Sequence, residues 1–252
     1  MFSLSAGTLS PIHPGGRPSR WAATGRWGGV SDGAFSTLNL ADYVPDRSDA
    51  VAANRAAVAD WVAGSGLAVM SAVHGAAVAV VDRPGVVPGV DALVTSTPGL
   101  AIAALGADCV PLALTGSDGH TVAVAHCGWR GLVADVVGAV VGVMAQRGVR
   151  VEHAVLGASI CGRCYPVPQA RADEVAQACA GDVAAEALVT CPDGQPGIDV
   201  GRGVRARLAH FGVPAARVLV AAGCTAEDRG LFSYRRDSVT GRQAVVIARM
   251  GP

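Results

Sequence analysis

A cysteine and a histidine with the potential for metal binding or nucleophilic catalysis lie in one stretch, Leu105 to Leu132. Cys109 opens a first apolar run, a Gly116-Ser-Asp-Gly119 turn follows, and a second apolar run ends at His126. Two apolar runs joined by such a turn predict a β-hairpin. Because the strands of a hairpin are antiparallel, Cys109 and His126 are predicted to lie at the same end of it.

A thiolate beside an imidazole supports two kinds of chemistry, a Cys/His nucleophilic pair or part of a metal site. His74 is the candidate third group, because it follows a short apolar segment and precedes Gly75, which permits close backbone approach. His74, Cys109 and His126 would then form a His₂Cys ligand set with a fourth position open. Spacing alone leaves two alternatives open: His74 and His126 are metal ligands, or they are ordinary core histidines.

The elements around the hairpin are predicted to be those of an α/β protein. Short, valine-rich apolar runs predict strands that are buried on both faces. A helix is predicted from Leu132 to Gln146, with its N-terminus directed back at His126, where its free N–H groups and Arg130 would favour an anion. Residues 1–19, rich in Pro, Gly and Ser, are expected to form a loosely ordered arm, and residues 20–252 a single domain.

Composition excludes several functional classes. The 252 residues are 51% hydrophobic, carry a formal net charge of +0 and contain no lysine. Arginines spread along the chain indicate no nucleic-acid or membrane partner, so a small-molecule partner is expected. The missing lysine excludes Schiff-base chemistry and a P-loop. With no signal-like leader at the start and no bilayer-length apolar run, the expected location is the cytoplasm.

The 7 cysteines raise the possibility of a second site. Cys161 and Cys164 have the Cys-x-x-Cys spacing of a redox pair or a zinc knuckle. The sequence contains no second such pair, so a structural zinc site would need a ligand from Cys179, Cys191 or Cys224.

Several short motifs, in this order along the chain, resemble the multicopper polyphenol oxidoreductase (laccase-domain) family, now better described as purine nucleoside phosphorylases. They are His74-Gly75, Asp91-Ala-Leu93, Ala107-Asp-Cys-Val-Pro111, His126-Cys-Gly-Trp-Arg-Gly-Leu132, Cys164-Tyr165, Cys224-Thr225 and Phe232-Ser-Tyr-Arg-Arg-Asp237. The resemblance implies one layered α/β (α+β) domain with mixed β-sheets flanked by helices. The implied fold is similar to that of cytotoxic necrotising factor-like cysteine hydrolases.

The resemblance also implies a metal and a set of reactions. Zinc, or copper in some members, would be bound by His74, Cys109 and His126. The expected reactions are phosphorolysis of adenosine, inosine and methylthioadenosine, and deamination of adenosine. The partners would be a purine nucleoside and phosphate, and the protein a monomer or small homo-oligomer.

Roles for individual residues follow from these reactions as hypotheses. A zinc site with an open position could activate water, and a carboxylate such as Asp108 or Asp91 would carry the proton. Arginine donors suit phosphate, and Arg26 lies in a glycine-rich loop that also holds Asn39. The expected catalytic residues are Cys109, His126 and Asp108, and the expected substrate-binding residues are Arg26, Asn39, Asp91 and Arg130.

Three other functions use the same residues. In a cysteine-dependent amidase or hydrolase acting on a cell-wall precursor, Cys109 would be the nucleophile and His126 its base. A single-copper polyphenol oxidase and a non-catalytic metal-binding protein are the others. Laccase chemistry proper needs a trinuclear copper cluster, and the chain has only 6 histidines. The four that remain, His13, His120, His153 and His210, are scattered.

Overall fold

In the computed structural model, which describes residues 3–11, 16–62, 66–221 and 223–250, short apolar runs form fourteen strands. The strands are β1 (Ser3–Leu9), β2 (Ser19–Thr24), β3 (Leu67–Ser71), β4 (Val78–Val80), β5 (Gly85–Pro88), β6 (Ala92–Thr95), β7 (Ala101–Gly106), β8 (Val110–Gly116), β9 (Val122–Cys127), β10 (Val151–Leu156), β11 (Leu188–Thr190), β12 (Pro196–Ile198), β13 (Val218–Val220) and β14 (Gln243–Arg249). The α-helices are α1 (Ser48–Val62), α2 (Trp129–Val133), α3 (Val136–Gln146), α4 (Gln169–Ala178), α5 (Gly181–Ala187), α6 (Val200–His210) and α7 (Tyr234–Asp237).

Two six-stranded mixed sheets pack face to face. The first sheet has the strand order β1-β2-β14-β7-β3-β5, and the second has the order β13-β10-β8-β9-β6-β4. Helix α1 packs on the outer face of the first sheet, and α3 packs on the outer face of the second, joined there by α2, α4, α5 and α6. This single layered α/β domain, with mixed sheets flanked by helices, confirms the predicted fold class.

Successive residues of the central strands enter different cores. In β8, Ala113 packs between the sheets, whereas Leu112 and Leu114 face α3. In β7, Ile102 packs between the sheets, whereas Ala103 faces α1. The alternation is the two-residue period of a strand, and both faces are buried, as the apolar runs predict. Each large aliphatic side chain buried in this way stabilises the fold by about 1.5–3 kcal/mol.

Strands β8 and β9 form the predicted hairpin. They pair antiparallel, with Val110 opposite Cys127 and Pro111 opposite His126. Cys109 directly precedes β8, so the pairing brings it to the end of the hairpin where His126 lies. The prediction of a shared hairpin end is therefore confirmed.

The prediction of one continuous helix from Leu132 to Gln146 is wrong in one respect, because two helices occupy this region. Asp135 has a left-handed backbone (φ 57°) and separates α2 from α3, while its side chain accepts a hydrogen bond from the N–H of Gly138. The helix that begins at the site, α2, has only 5 residues, too few to build a substantial helix dipole. In the described part of the chain, no helix is long and apolar enough to cross a membrane.

Residues 3–9, predicted to belong to a loosely ordered arm, instead form the edge strand β1. This strand pairs antiparallel with β2, with Gly7 opposite Trp21 and Leu9 opposite Ser19. Leu9 also packs against the core between the sheets. Backbone pairing and this contact order a segment whose composition alone favours a coil. Residues 1–2 and 12–15 of the expected arm lie outside the described residues.

Candidate metal centre

The side chains of His74, Cys109 and His126 converge at the end of the β8–β9 hairpin. One ligand atom from each lies within 4.8 Å of the others. The two imidazole rings meet edge to face, with their centroids 4.9 Å apart. Two imidazole nitrogens and one thiolate are the donors that zinc prefers, so the set fits a zinc ion with one position open.

The ring of His126 is oriented for metal binding. Its Nδ1 lies 2.8 Å from the carbonyl oxygen of Leu105 and donates its proton to it, which leaves Nε2 as the nitrogen with the lone pair. Nε2 is buried and has no hydrogen-bond partner among the described residues. Burial lowers the pKa of His126, an effect that the Leu105 carbonyl opposes. The imidazole is therefore neutral near pH 7, and its orphaned nitrogen fits a metal.

Asp91 holds the loop that carries His74. Its carboxylate accepts hydrogen bonds from the backbone N–H groups of Val73, His74 and Gly75, at 3.0, 2.7 and 2.9 Å. These bonds fix His74 in a left-handed conformation (φ 64°). The backbone carbonyl of Asp91 also accepts the N–H of His126 at 2.8 Å. Asp91 thus fixes the backbone of both His74 and His126.

This geometry corrects the expectation that Asp91 contacts substrate. Asp91 is fully buried and does not line the cavity at the site. Its oxygens are occupied by three backbone donors, so it acts as an orienting group behind the ligands.

Asp108 fixes the backbone beside Cys109. It has an unusual left-handed φ of 103°. Its carboxylate accepts hydrogen bonds from the hydroxyls of Thr225 (2.6 Å) and Ser233 (2.7 Å) and from the backbone N–H of Arg235 (2.6 Å). A non-glycine residue in this region stores strain, and the three bonds hold it in place. Asp108 lines the cavity.

Gly128 supplies the space that the thiolate needs. A Cβ atom at this position would lie 2.7 Å from Sγ of Cys109 and 3.6 Å from Cδ2 of His74. Glycine is therefore required at this point of the His-Cys-Gly-Trp motif for steric reasons. The neighbouring Cys127 is fully buried, and burial raises its pKa well above the ordinary thiol value, so it is a neutral core residue.

A cavity of about 500 Å³ opens in front of the three ligands. This volume is in the range of small-molecule sites. Four aromatic residues and four arginines line its wall. They are Tyr43, Trp129, Tyr165, Tyr234, Arg130, Arg171, Arg235 and Arg242.

The four arginines keep their charges available to a ligand. Arg130 and Arg171 lie over the ring of Trp129, at 4.6 and 4.7 Å from its centroid. Arg235 lies over Tyr165 at 4.7 Å and donates to a backbone carbonyl, and Arg242 donates to two carbonyls. Rings and carbonyls orient a guanidinium without neutralising it. The cavity is therefore suited to an anionic ligand.

Two further residues predicted to bind substrate, Arg26 and Asn39, do not line this cavity. The guanidinium of Arg26 donates to the carbonyls of Ser36 (2.8 Å) and Ala34 (3.3 Å) and lies 3.7 Å from the carboxylate of Asp237. The Arg26 guanidinium therefore stabilises its own glycine-rich loop through these contacts. The loop resembles an anion-binding loop in sequence, but its arginine is directed at carbonyls and a carboxylate of the protein.

Asn39 is fully buried, and its side chain is fully hydrogen-bonded. Its amide donates to Ala41 and Asp46, and its oxygen accepts the backbone N–H groups of Ala41 and Arg242. It therefore positions the backbone of Arg242, a cavity residue, from outside the cavity. Of the four predicted substrate residues, only Arg130 lines the wall.

Arg171, Arg235, Arg242 and the aromatic residues were not predicted. Tyr43, Arg171 and Arg242 come from segments that no local spacing connects to the site. The motifs that carry the family resemblance were the available signal for the others, because they contain Trp129, Tyr165, Tyr234 and Arg235.

Comparison with known proteins assigns the chain to a family. Residues 20–250 match the family described as multi-copper polyphenol oxidoreductase laccase. The chain belongs to this family. It is similar to a purine nucleoside phosphorylase of Streptomyces coelicolor, with 45% identity over 88% of this chain and 91% of the relative. It is also similar to an adenosine deaminase of an unknown prokaryotic organism, with 35% identity over 86% of this chain and 88% of the relative.

A solved structure from another member supports the same assignment. A Neisseria meningitidis protein superposes with a TM-score of 0.81 at 32% identity, covering 98% of this chain and 99% of its own. Two of the relatives are therefore named after reactions of purine nucleosides.

The copper in the family description does not imply a laccase centre in this member. Outside the His₂Cys set, His153 contacts Thr115 and His210 contacts Asp182. His13 lies outside the described residues. With 6 histidines in the chain, the histidine pairs of a trinuclear copper cluster cannot be assembled.

Proposed function

We propose that the protein is a metal-dependent purine nucleoside phosphorylase that also deaminates adenosine. Adenosine, inosine and methylthioadenosine would react with phosphate to give the free base and the pentose 1-phosphate. The observation that supports this best is a His₂Cys ligand set that opens onto a cavity lined by aromatic rings and four arginines. The relatives named purine nucleoside phosphorylase and adenosine deaminase favour these substrates.

His74, Cys109 and His126 would hold zinc, because two imidazoles and a thiolate with a fourth position open match the ligand set of catalytic zinc sites. A zinc ion held by these residues would supply Lewis-acid chemistry at the open position. The protein's own contribution is to hold the three ligands in position. Asp91 fixes both imidazoles and Asp108 fixes Cys109 through the contacts described above.

The aromatic residues suit the purine. Tyr43, Trp129, Tyr165 and Tyr234 present ring faces and edges to the cavity, and stacking on such rings stabilises a nucleobase by about 1–3 kcal/mol. Burial raises the pKa of Tyr165 and of Tyr43, so both phenols stay protonated. They can therefore donate hydrogen bonds to ring nitrogens or sugar hydroxyls.

The arginines suit phosphate. Arg130, Arg171 and Arg235 line the cavity and present fork-shaped donors that match phosphate oxygens. In phosphorolysis, a phosphate oxygen forms the bond to the anomeric carbon while the glycosidic C–N bond breaks. The base departs with the bonding electrons and takes up a proton. In deamination, water adds to the carbon bearing the amino group, and ammonia leaves.

The test is product analysis with purified, zinc-loaded protein and adenosine. With phosphate, we expect adenine and ribose 1-phosphate in equal amounts, and without phosphate, inosine and ammonia. Both sets of products should disappear in a Cys109→Ala variant. Adenosine that stays intact under both conditions would contradict the proposal.

The amidase alternative uses Cys109 and His126 without a metal. It predicts that a chelator leaves activity on amide substrates unchanged. The proposed function predicts loss of all nucleoside turnover on chelation. The unused lone pair on Nε2 of His126 and the third ligand, His74, favour the metal-dependent enzyme.

A further inference from the structure

A second group of metal-binding side chains lies away from the His₂Cys centre. The side chains are those of Cys161, Cys164, Cys224 and Glu227, and one ligand atom from each lies within 4.8 Å of the others. We propose that these residues, the cysteine cluster, form a structural zinc site. Cys161 and Cys164 alone supply too few ligands for a structural zinc site. The fold brings Cys224 to them as a third thiol.

Two loops meet to form the cysteine cluster. Cys161 directly precedes the 3₁₀ turn Gly162–Cys164 and Cys164 ends it, so the turn brings the two thiols of the Cys-x-x-Cys sequence to one side. The second loop is joined to the first by a parallel bridge between Ser159 and Cys224, and by the N–H of Thr225 donating to the Ser159 carbonyl at 3.2 Å. The backbone thus aligns the loops before any ion is bound.

One contact between side chains of the cluster is close to the spacing of zinc ligands. In a tetrahedral site with Zn–S near 2.3 Å and Zn–O near 2.0 Å, neighbouring ligand atoms lie roughly 3.5–3.8 Å apart. Sγ of Cys164 lies 3.3 Å from Oε1 of Glu227. The N–H of Cys161 lies 3.3 Å from Sγ of Cys224, a backbone hydrogen bond of the kind that supports a metal-bound thiolate.

The charges around the cluster also suit a divalent cation. Three thiolates and a carboxylate form a closed, four-ligand set, which is typical of structural rather than catalytic zinc. They would leave a net negative charge on the occupied site. The guanidinium of Arg163 lies 3.7 Å from Oε1 of Glu227 and offsets part of it.

An ion can reach the site from solvent. The four side chains are partly or fully exposed rather than buried. Cys161 and Cys224 also line an open groove of about 290 Å³ that includes Ser159 and Gly223. A metal bound here would remain exchangeable with chelators of sufficient affinity.

The position of the cluster explains what such a site would do. Thr225, next to Cys224, donates to the carboxylate of Asp108 at 2.6 Å. Ile160, next to Cys161, donates its backbone N–H to the carbonyl of Asp108 at 3.0 Å and lines the main cavity. A metal in the cysteine cluster would therefore lock together the two loops that hold Asp108 beside Cys109.

The test is the zinc content of the full chain by native mass spectrometry after anaerobic purification and zinc loading. We expect two zinc ions per wild-type chain. A Cys161→Ser/Cys224→Ser variant should retain one, and a His74→Ala/His126→Ala variant should also retain one. Cys179→Ser, which removes a half-buried thiol outside the cluster, is the matched control and should retain two.

Cobalt distinguishes the sites spectroscopically. The His74→Ala/His126→Ala variant loaded with Co²⁺ should show the sulfur-to-cobalt charge-transfer absorption of a multi-thiolate site, and the cluster variant should lack that component. One zinc ion in wild type together with none in the histidine variant would overturn the proposal. This test needs no enzyme activity, so it is independent of the proposed function.

A second measurement on wild type alone covers the case in which the cluster variant does not fold. Mass-spectrometric mapping of alkylation should show that zinc slows modification of Cys161, Cys164 and Cys224 by about 10-fold or more, because their thiolates are coordinated. Cys179 should be modified equally with and without zinc. Alkylation rates of Cys161, Cys164 and Cys224 that are the same with and without zinc would overturn the proposal. A disulfide between cluster cysteines in the anaerobic protein would overturn it as well.

Discussion

The two ring nitrogens of His126 have different roles in this protein. Nδ1 is tied to the carbonyl of Leu105, and Nε2 is buried without a partner among the described residues. An unpaired buried polar atom costs about 1–3 kcal/mol. A metal ion would remove this cost, and this supports the proposed role of His126 as a ligand.

His126→Ala should strongly weaken the binding of the zinc that catalysis needs. We expect the zinc concentration that half-restores nucleoside turnover in metal-free protein to rise by more than about 100-fold, above the range typical of outer-shell changes. His153→Ala, which changes a histidine hydrogen-bonded to Thr115, is the control and should behave as wild type. Equal zinc requirements for both variants would contradict the assigned ligand.

Asp91→Asn tests the anchor behind the ligands. The change preserves size but removes one of two oxygens that accept three backbone N–H groups. We expect about a 10–100-fold higher zinc requirement, with the folded circular-dichroism spectrum retained. Asp118→Asn is a close match, because Asp118 holds the turn at the far end of the same hairpin. If the two variants need the same zinc concentration, Asp91 does not orient the ligands.

At the scale of elements, the hairpin was predictable and the helix after it was not. The two apolar runs and their turn fix which residues pair, so the sequence alone is enough to place Cys109 and His126 together. The apolar pattern, however, continues through Asp135, where the backbone turns left-handed and divides the helix. One residue's backbone conformation is not visible in hydrophobic periodicity.

The same reasoning explains the misassigned residues. Arg26 and Asn39 lie in a loop whose glycines and polar groups are typical of anion sites, but their partners are backbone groups of the same region or of Arg242. Cys224 joins Cys161 and Cys164 only because two loops pair across 63 positions. Long-range pairing of this kind has no local sequence pattern.

The junction between α2 and α3 makes stability depend on pH. Burial raises the pKa of Asp135, but hydrogen bonds from Arg207 and Gly138 and the nearby charge of Arg207 outweigh it, so the net pKa is lowered. A lowered pKa in the folded state adds stability above the unfolded value of about 4, and this is lost as the pH falls through the folded pKa.

Asp135→Ala should therefore lower the free energy of unfolding at pH 7 by about 1 kcal/mol, mostly from the lost helix cap. The ion pair with Arg207 adds little, because the Asp135 side chain is 43% exposed. Urea unfolding from pH 7 to pH 3 should show the difference shrinking at acidic pH. Asp173→Asn, on the exposed surface of α4, should show no such trend, and a constant difference for Asp135→Ala would contradict the assignment.

At the scale of the whole molecule, four layers bring distant segments to one end of the second sheet. Arg130 follows β9, Arg171 lies in α4 and Arg235 lies in α7, yet all three line one cavity with the metal ligands. Charge therefore accumulates where the hairpin ends, although the chain as a whole is neutral. This local positive charge in a neutral protein suits the phosphate of the proposed reaction.

Arg130→Ala should raise the KM for phosphate by about 10-fold or more, the cost of losing a charge-assisted hydrogen bond. Phosphate-independent deamination should change much less. Arg20→Ala is the matched control, because Arg20 also stacks on a tryptophan, Trp61, at 5.1 Å, away from the cavity. Equal KM values for phosphate in the two variants would remove Arg130 from the phosphate site.

The most direct measurement is the rate of adenine release from adenosine with and without phosphate, for wild-type protein as purified, after chelation, and after zinc is restored. We predict that release needs phosphate, is lost on chelation and returns with zinc, while metal-depleted protein keeps its folded spectrum. Adenine release that persists in thoroughly chelated protein, or that is indifferent to phosphate, would contradict a metal-dependent phosphorylase built on His74, Cys109 and His126.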